Sequence, residues 1–300
     1  MSLWRHRDFR RLWAGQSVSV FGSQVTELAI PLAAVLTLHA TAFQMGALSA
    51  AAMAPWLAFA LFVGVWIDRR ARRRWILIAT DLGRAAILVS VPVAAALHAL
   101  TLGQLFVVAF AAGCLTLVFN VAWGSYLNVL VPREQLVEGN AKLMGSYATA
   151  QIAGPSIAGV LVAAITAPFA ILLDAASFLV SALALSSIRA PEPERRLAPR
   201  ASLRHDLGAG LRYVCGDPLQ RAVAGSAATL NFFGAAVYAV LVLYAVRELH
   251  LSAGLIGLFF AAGAVGGLLG TQLAPRLTGR LCAGRTILWA TVGFPPSLAI

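Results

Sequence analysis

Charge is scarce in this sequence. Asp, Glu, Lys and Arg make up 12% of its 300 residues, against roughly 25% in ordinary soluble domains. With 60% apolar residues and a mean hydropathy of +0.81, a water-soluble globule is excluded. Cysteine is nearly absent: Cys114, Cys215 and Cys282 stand alone, with no CxxC pair, so neither a disulfide nor a metal centre is indicated. The single lysine, Lys142, follows Ala141, which rules out a Gly-Lys-Ser/Thr phosphate loop. There is no Gly-x-Ser-x-Gly and no His-Glu-x-x-His, and the histidines lie at the ends of apolar runs or between them. The expectation is a protein that is not an enzyme and holds no cofactor.

Long apolar runs are what the chain has in abundance. They fall at 12–38, 43–67, 75–99, 103–131, 143–166, 168–188, 222–246 and 251–275, with a ninth beginning at 286. A run of about 20 residues crosses the hydrocarbon core as a helix. The runs are continuous rather than alternating, which excludes a transmembrane β-barrel. The fold class read from them is all-α integral membrane, with about eight full spans and part of a ninth.

The net charge of +11 would suggest nucleic acid in a soluble protein. Here its placement indicates orientation instead. Basic residues gather at the N-terminus (Arg5, Arg7, Arg10, Arg11), after the second span (Arg69, Arg70, Arg72, Arg73, Arg74), around Arg133 and Lys142, through the linker from Arg189 to Arg221, and at Arg276, Arg280 and Arg285. The alternate loops carry none, except Arg247 near the fourth. Positive loops stay cytoplasmic. The reading is a multi-pass protein of a bacterial-type plasma membrane, N-terminus inside, in contact with the lipid bilayer, without nucleic acid and monomeric. The first run is too long for a cleaved signal core.

Residues 1–188 read as a six-span unit. Residues 189–220 form a cytoplasmic linker, rich in proline and charge near 190–200 and able to form an amphipathic helix after Ser202. The pattern then restarts over 221–300. His39-Ala-Thr-Ala42 after span one matches His250-Leu-Ser-Ala253 after span seven. Asp8–Gly15 resembles Asp217–Gly225, and Gly64 with its arginine loop is echoed at Gly270–Arg280. A six-span unit followed by a parallel copy is a common transporter architecture. The second copy stops inside its third span, so the chain is expected to be truncated.

Between spans two and three lies Gly64-xxx-Asp68-Arg69-xx-Arg72-Arg73. With it, the chain resembles the major facilitator superfamily along essentially its whole length. Ala71 stands where that signature usually has glycine. Gly154-Pro155-Ser-Ile-Ala158-Gly159 in span five is similar to the core of the antiporter motif of the superfamily's exporters; Ala141 and Ala150 replace glycines of the longer motif. His6–Trp13 and Asp206–Tyr213 with Pro218 resemble the macrolide-efflux and enterobactin-exporter branch. The resemblance implies two six-helix bundles rocking about a central site, driven by a proton gradient.

Four ionisable groups fall within the spans: Glu27, Asp81, Arg84 and Asp174. Charges at membrane depth cost a few kcal/mol, so each calls for a reason. Asp81 and Arg84 share a helical face. They form either a mutual pair anchoring span three or part of a latch on the cytoplasmic gate with Asp68 and Arg72. Glu27 continues a polar stripe with Gln16, Ser19 and Ser23, expected to face a water-filled cavity. Its carboxyl group can carry a proton or cation, or serve packing. Asp174, about one and a half turns into span six, is a second proton candidate or a residue reaching the interface. Asn120, Gly124 and Asn128 of span four, Gln151 of span five, and Asn231 and Tyr238 of span seven extend the expected cavity. Gly263, Gly266, Gly267 and Gly270 suggest close helix packing in span eight.

The function expected is secondary active transport: proton-coupled efflux of a small lipophilic compound (a drug, macrolide or siderophore-like molecule) by alternating access. The alternative is a truncated, non-transporting remnant of such a transporter.

Overall fold

The computed structural model describes residues 3–70, 72–132, 135–190 and 215–281, with 208 and 212 besides. Most of the linker, its expected amphipathic helix and the ninth span lie outside the described residues.

Among the described residues every regular element is a helix. A 3-10 turn, Leu3–Arg5, leads into α1 (Arg7–Leu32). There follow α2 (Ala42–Asp68), α3 (Arg73–Ala96), α4 (Leu102–Leu130), α5 (Leu136–Ile165), α6 (Ala167–Ser186), α7 (Pro218–Arg247) and α8 (Ala253–Leu281). Seven of them, α1 to α7, are long and apolar enough to cross a membrane. Each expected span through 275 has its helix. The largest boundary difference is at α5, which begins at Leu136 rather than 143. Its extra turns are polar and carry an i,i+4 pair, Glu138 with Lys142 at 3.2 Å, which an apolar run does not register.

Local chemistry sets the helix ends. Thr41 and Gln44 form a reciprocal capping box on α2, Thr101 accepts from the Gln104 amide on α4, and Asp217 caps α7 ahead of Pro218. Pro31 has no N–H to donate to the Glu27 carbonyl, and two residues later α1 widens into a π-helix over Ala33–Thr37. His39 and His250 occupy the same left-handed conformation, φ 52° and 50°. In each case the following residue donates its amide six residues back, Ala40 to Ala34 and Leu251 to Ala245, both at 2.9 Å. The matched sequences after spans one and seven therefore build the same turn.

The six helices of the first unit pack side by side in the spatial order α2–α4–α3–α6–α1–α5; α7 lies on α2 and α8 on α5. Small residues permit the crossings. A Cβ on Gly22 of α1 would come within 2.2 Å of Ser177 Oγ on α6, and one on Gly257 of α8 within 2.2 Å of the Pro155 carbonyl of α5. Close packing is expected at Gly263, Gly266, Gly267 and Gly270; among the described residues a Cβ at any of these meets nothing within 4 Å. Gly257 makes the approach instead, because it faces the span-five proline.

Two apolar clusters fill the bundle. One gathers Phe9, Leu12, Ile67, Leu77, Tyr126 and Leu185; the other gathers Leu28, Leu32, Met45, Leu88, Leu105 and Ile171. Between them on α1, α3 and α6 runs a buried polar layer of Ser19, Asp81, Arg84, Asp174, Ser177 and Ser181. The N-terminal ends of α1 and α3 and the C-terminal end of α6 meet at one face, called the arginine face below. Arg11 donates to the Ser187 carbonyl at 2.6 Å and Arg74 donates to that of Ile188, satisfying the open carbonyls of α6 with cations.

Candidate functional site

The in-span charges divide between a dry layer and an open face. In the dry layer Arg84 pairs with Asp81, both on α3 and both buried. The guanidinium lies between two aromatic rings, 4.3 Å from Phe119 of α4 and 4.0 Å from Phe178 of α6. Such desolvated cation–π contacts are worth up to about 2 kcal/mol each. They hold the cation in place where water cannot. Asp81 and Arg84 thus pair with each other inside the bundle and make no ion pair with Asp68 or Arg72 among the described residues.

Asp174 of α6 is 1% exposed. It does not reach the interface, because α6 turns this face onto α1. Its carboxylate accepts from Ser177 Oγ at 3.1 Å and Ser23 Oγ at 3.5 Å, and Arg84 acts on it electrostatically. Two carboxylates therefore share the field of one guanidinium inside the bundle. Nothing in the sequence spacing links Asp174 to Arg84. The available signal was the small-residue register Gly15, Ser19, Gly22 on α1 against Ser177, Ser181, Ala184 on α6, which lets these helices meet closely enough to bury a carboxylate.

The polar stripe of α1 departs from expectation. Gln16 and Ser19 are buried and Ser23 serves Asp174, so most of the stripe packs inside the bundle rather than facing water. Only Glu27 opens outward. Gln24 Nε2 donates to Glu27 Oε2 at 3.0 Å, and among the described residues no cation pairs with it. Asn120 and Gly124 of α4 are exposed, as are Asn231 and Tyr238 of α7. Asn231 donates to its own helix at the Ala227 carbonyl, 2.8 Å away, and Tyr238 stacks on Phe260 of α8 with ring centroids 5.8 Å apart. Gln151 donates to Tyr147 Oη at 2.7 Å on α5. The side chain of Asn128 lies outside the described residues.

At the arginine face, Asp68 lies 3.7 Å from Arg73, which also donates to the Ser125 carbonyl of α4 at 3.2 Å. The acid of the signature thus meets Arg73 rather than Arg72, which is exposed. Arg69 and Arg72 line a concavity of about 470 Å³ with Trp66, Arg70 and Ile76. Gly64 has open space where a Cβ would stand. The span-five residues have a different part: a Cβ on Gly154 would meet Gln24 Cβ at 2.5 Å and one on Gly159 the Ala253 carbonyl at 2.4 Å. Gly154, Pro155 and Gly159 are thus where α5 touches α1 and α8.

A family profile described as "Transmembrane secretion effector" matches residues 1–300. Among curated relatives, the enterobactin exporter EntS of Citrobacter koseri is 28% identical over 96% of this chain and 68% of its own length. Macrolide efflux protein A of Streptococcus pyogenes is 26% identical over 61% of this chain and 45% of its own. Thus the chain spans about two thirds of EntS and, in the matched part, about half of the macrolide protein. Two solved structures share the fold. A bacterial homologue of the lysosomal transporter Spinster has TM-score 0.73 at 13% identity, over 95% of this chain and 64% of that one. A bacterial homologue of ferroportin has 0.68 at 18%, over 96% and 72%. Both are described as inward-facing. With its stacked apolar helices, its buried charge pair and a profile match from end to end, the chain belongs to the transmembrane secretion effector family of major facilitator transporters.

Proposed function

We propose that the protein is a secondary active exporter that moves a small lipophilic compound out of the cell in exchange for protons. In this reading residues 1–188 form one of two six-helix bundles, 189–220 join them and 221–300 open the second. The N-terminus and the arginine face are cytoplasmic. Alternating access follows from rocking of the bundles, and the inward-facing state of both structural neighbours supports it.

One observation carries the reading: Glu27 is an exposed carboxylate within the first span, held by an amide and, among the described residues, by no cation. An acid so placed can be neutralised by a proton or by a cationic substrate, which lets the two compete for one site. Competition at one carboxylate is the simplest chemistry of exchange. A proton falling through 100 mV releases about 2.3 kcal/mol, enough for a useful outward gradient without ATP. Asp174 is the second candidate carrier, exchanging protons only when α1 and α6 part.

The exposed groups of α1, α4 and α7 (Glu27, Asn120, Asn231 and Tyr238) supply one acid, two amides and an aromatic ring. That set suits neutral or cationic lipophilic compounds. In the relatives the named cargoes are enterobactin and macrolides. Asp68 with Arg73, and Arg69 and Arg72 beside them, form the hinge that opens and closes on the cytoplasmic side. The test is a susceptibility and accumulation panel in cells expressing the full chain, with and without a protonophore. Reduced accumulation of at least one lipophilic compound, restored by the protonophore, is expected. Accumulation unchanged across the panel, or insensitive to the protonophore, contradicts the reading.

A further inference from the structure

A second concavity at the arginine face, about 370 Å³, is lined by His6, Arg7, Asp8, Arg11 and Arg189. Its one acid is already engaged. Asp8 bridges Arg11 at 3.2 Å and accepts the backbone amides of Arg189 and Ala190 at 3.3 and 3.0 Å. Arg11 is likewise spent on the Ser187 carbonyl. Arg7 and Arg189 are exposed, and among the described residues neither makes an ion pair. Two guanidiniums thus converge on a pocket whose floor is already neutralised.

The surface leading to this pocket is apolar. Leu172, Leu179 and Leu183, 41%, 45% and 69% exposed, recur along the face of α6 opposite Asp174 and Ser177 and run towards Arg189. At membrane depth that stripe meets acyl chains. Trp4, 41% exposed and stacked edge-on against Trp13 at 4.9 Å, marks the headgroup level nearby. Basic pockets at this level bind lipid headgroups.

We propose that the Arg7–Arg189 pocket binds the phosphate headgroup of an anionic phospholipid of the same leaflet, with one acyl chain lying along the leucine stripe of α6. The two guanidiniums take the phosphate oxygens through charge-assisted hydrogen bonds. The bound lipid joins the start of α1 to the end of α6, where the linker leaves the bundle. This site depends on the chain lying in a membrane and is independent of Glu27 and of transport.

The test is native mass spectrometry of the full chain released from detergent after incubation with phosphatidylglycerol or phosphatidylcholine. Wild type should retain phosphatidylglycerol preferentially. R7Q/R189Q should lose on the order of tenfold of that retention, as two cations near an anionic headgroup imply. The charge-matched pair R10Q/R221Q, exposed arginines that line neither concavity, should keep it. Equal losses in both pairs would overturn the site in favour of diffuse attraction. So would equal retention of the two lipids, or displacement of phosphatidylglycerol by millimolar inorganic phosphate, which would make the pocket a site for the free ion. A melting temperature of R7Q/R189Q equal to wild type separates lost lipid from lost fold.

Discussion

On one side of α1, Ser23 donates to Asp174 inside a packed layer; one turn further on, Glu27 stands exposed beside Gln24. The same helix thus carries two acidic neighbourhoods with opposite physics. In the layer, two carboxylates, one guanidinium, two rings and several hydroxyls gather away from water, and Asp81 Oδ2, Arg84 Nε and Ser181 Oγ find no hydrogen-bond partner among the described residues. A change there leaves a buried charge without its partner. At Glu27 the described residues form no such web, so under the proposed function a change there should alter little of the fold and much of what the open face binds. The proposal thus makes stability and exchange chemistry separable along α1.

The comparison breaks most visibly at Arg84. Arg84→Met should destabilise the protein by about 3–5 kcal/mol, because Asp81 is left buried and uncompensated. Thermal unfolding of the purified protein reads this directly. The double variant Asp81→Asn with Arg84→Met should recover part of the loss. A melting temperature for Arg84→Met equal to wild type would mean the pair does not hold the layer.

A smaller effect is expected at the α1–α6 crossing. Gly22→Leu forces a side chain into Ser177 and should cost about 1–3 kcal/mol. Gly64→Ala, at a position with open space, should not lower the melting point despite its place in the signature. If the two glycines behaved alike in the same unfolding assay, the close approach at Gly22 would be refuted.

Glu27→Gln should shift stability by no more than about 0.5 kcal/mol, the usual range for surface changes away from special contacts. A large fall in melting temperature would place Glu27 with the packed acids and erase the contrast. A comparably small change is expected as a gain. Gly263→Ala in α8 adds a methyl where nothing lies within 4 Å and removes a flexible helix interior residue, worth about 0.5–1 kcal/mol. Differential scanning of the two proteins side by side would resolve it.

The helices were legible because hydrocarbon thickness leaves a run-length signal that no local propensity overrides. Their number through residue 275 and the matched turns at His39 and His250 follow from the sequence directly. The pairing of Asp81 with Arg84 was legible too, since three residues place both on one face. The burial of Asp174 was not. Helical spacing says which residues of α1 share a face, but not which neighbour covers that face, so the stripe of Gln16, Ser19 and Ser23 read as a cavity wall. Its true partner is set by the small residues of α6, more than 150 positions away. Nor could the signature assign its own ion pair, because Arg72 and Arg73 are adjacent and the start of α3 decides which one turns inward.

The most direct test of exchange at Glu27 is proton flux in proteoliposomes holding the full chain, with a pH-sensitive dye inside and a lipophilic cation added outside under an imposed pH gradient. Wild type should move protons against the cation. Glu27→Gln should abolish that counterflow and, with it, the exchange of labelled for unlabelled cation, and Asp174→Asn should retain both at least in part. Counterflow at the wild-type rate in Glu27→Gln would contradict the account.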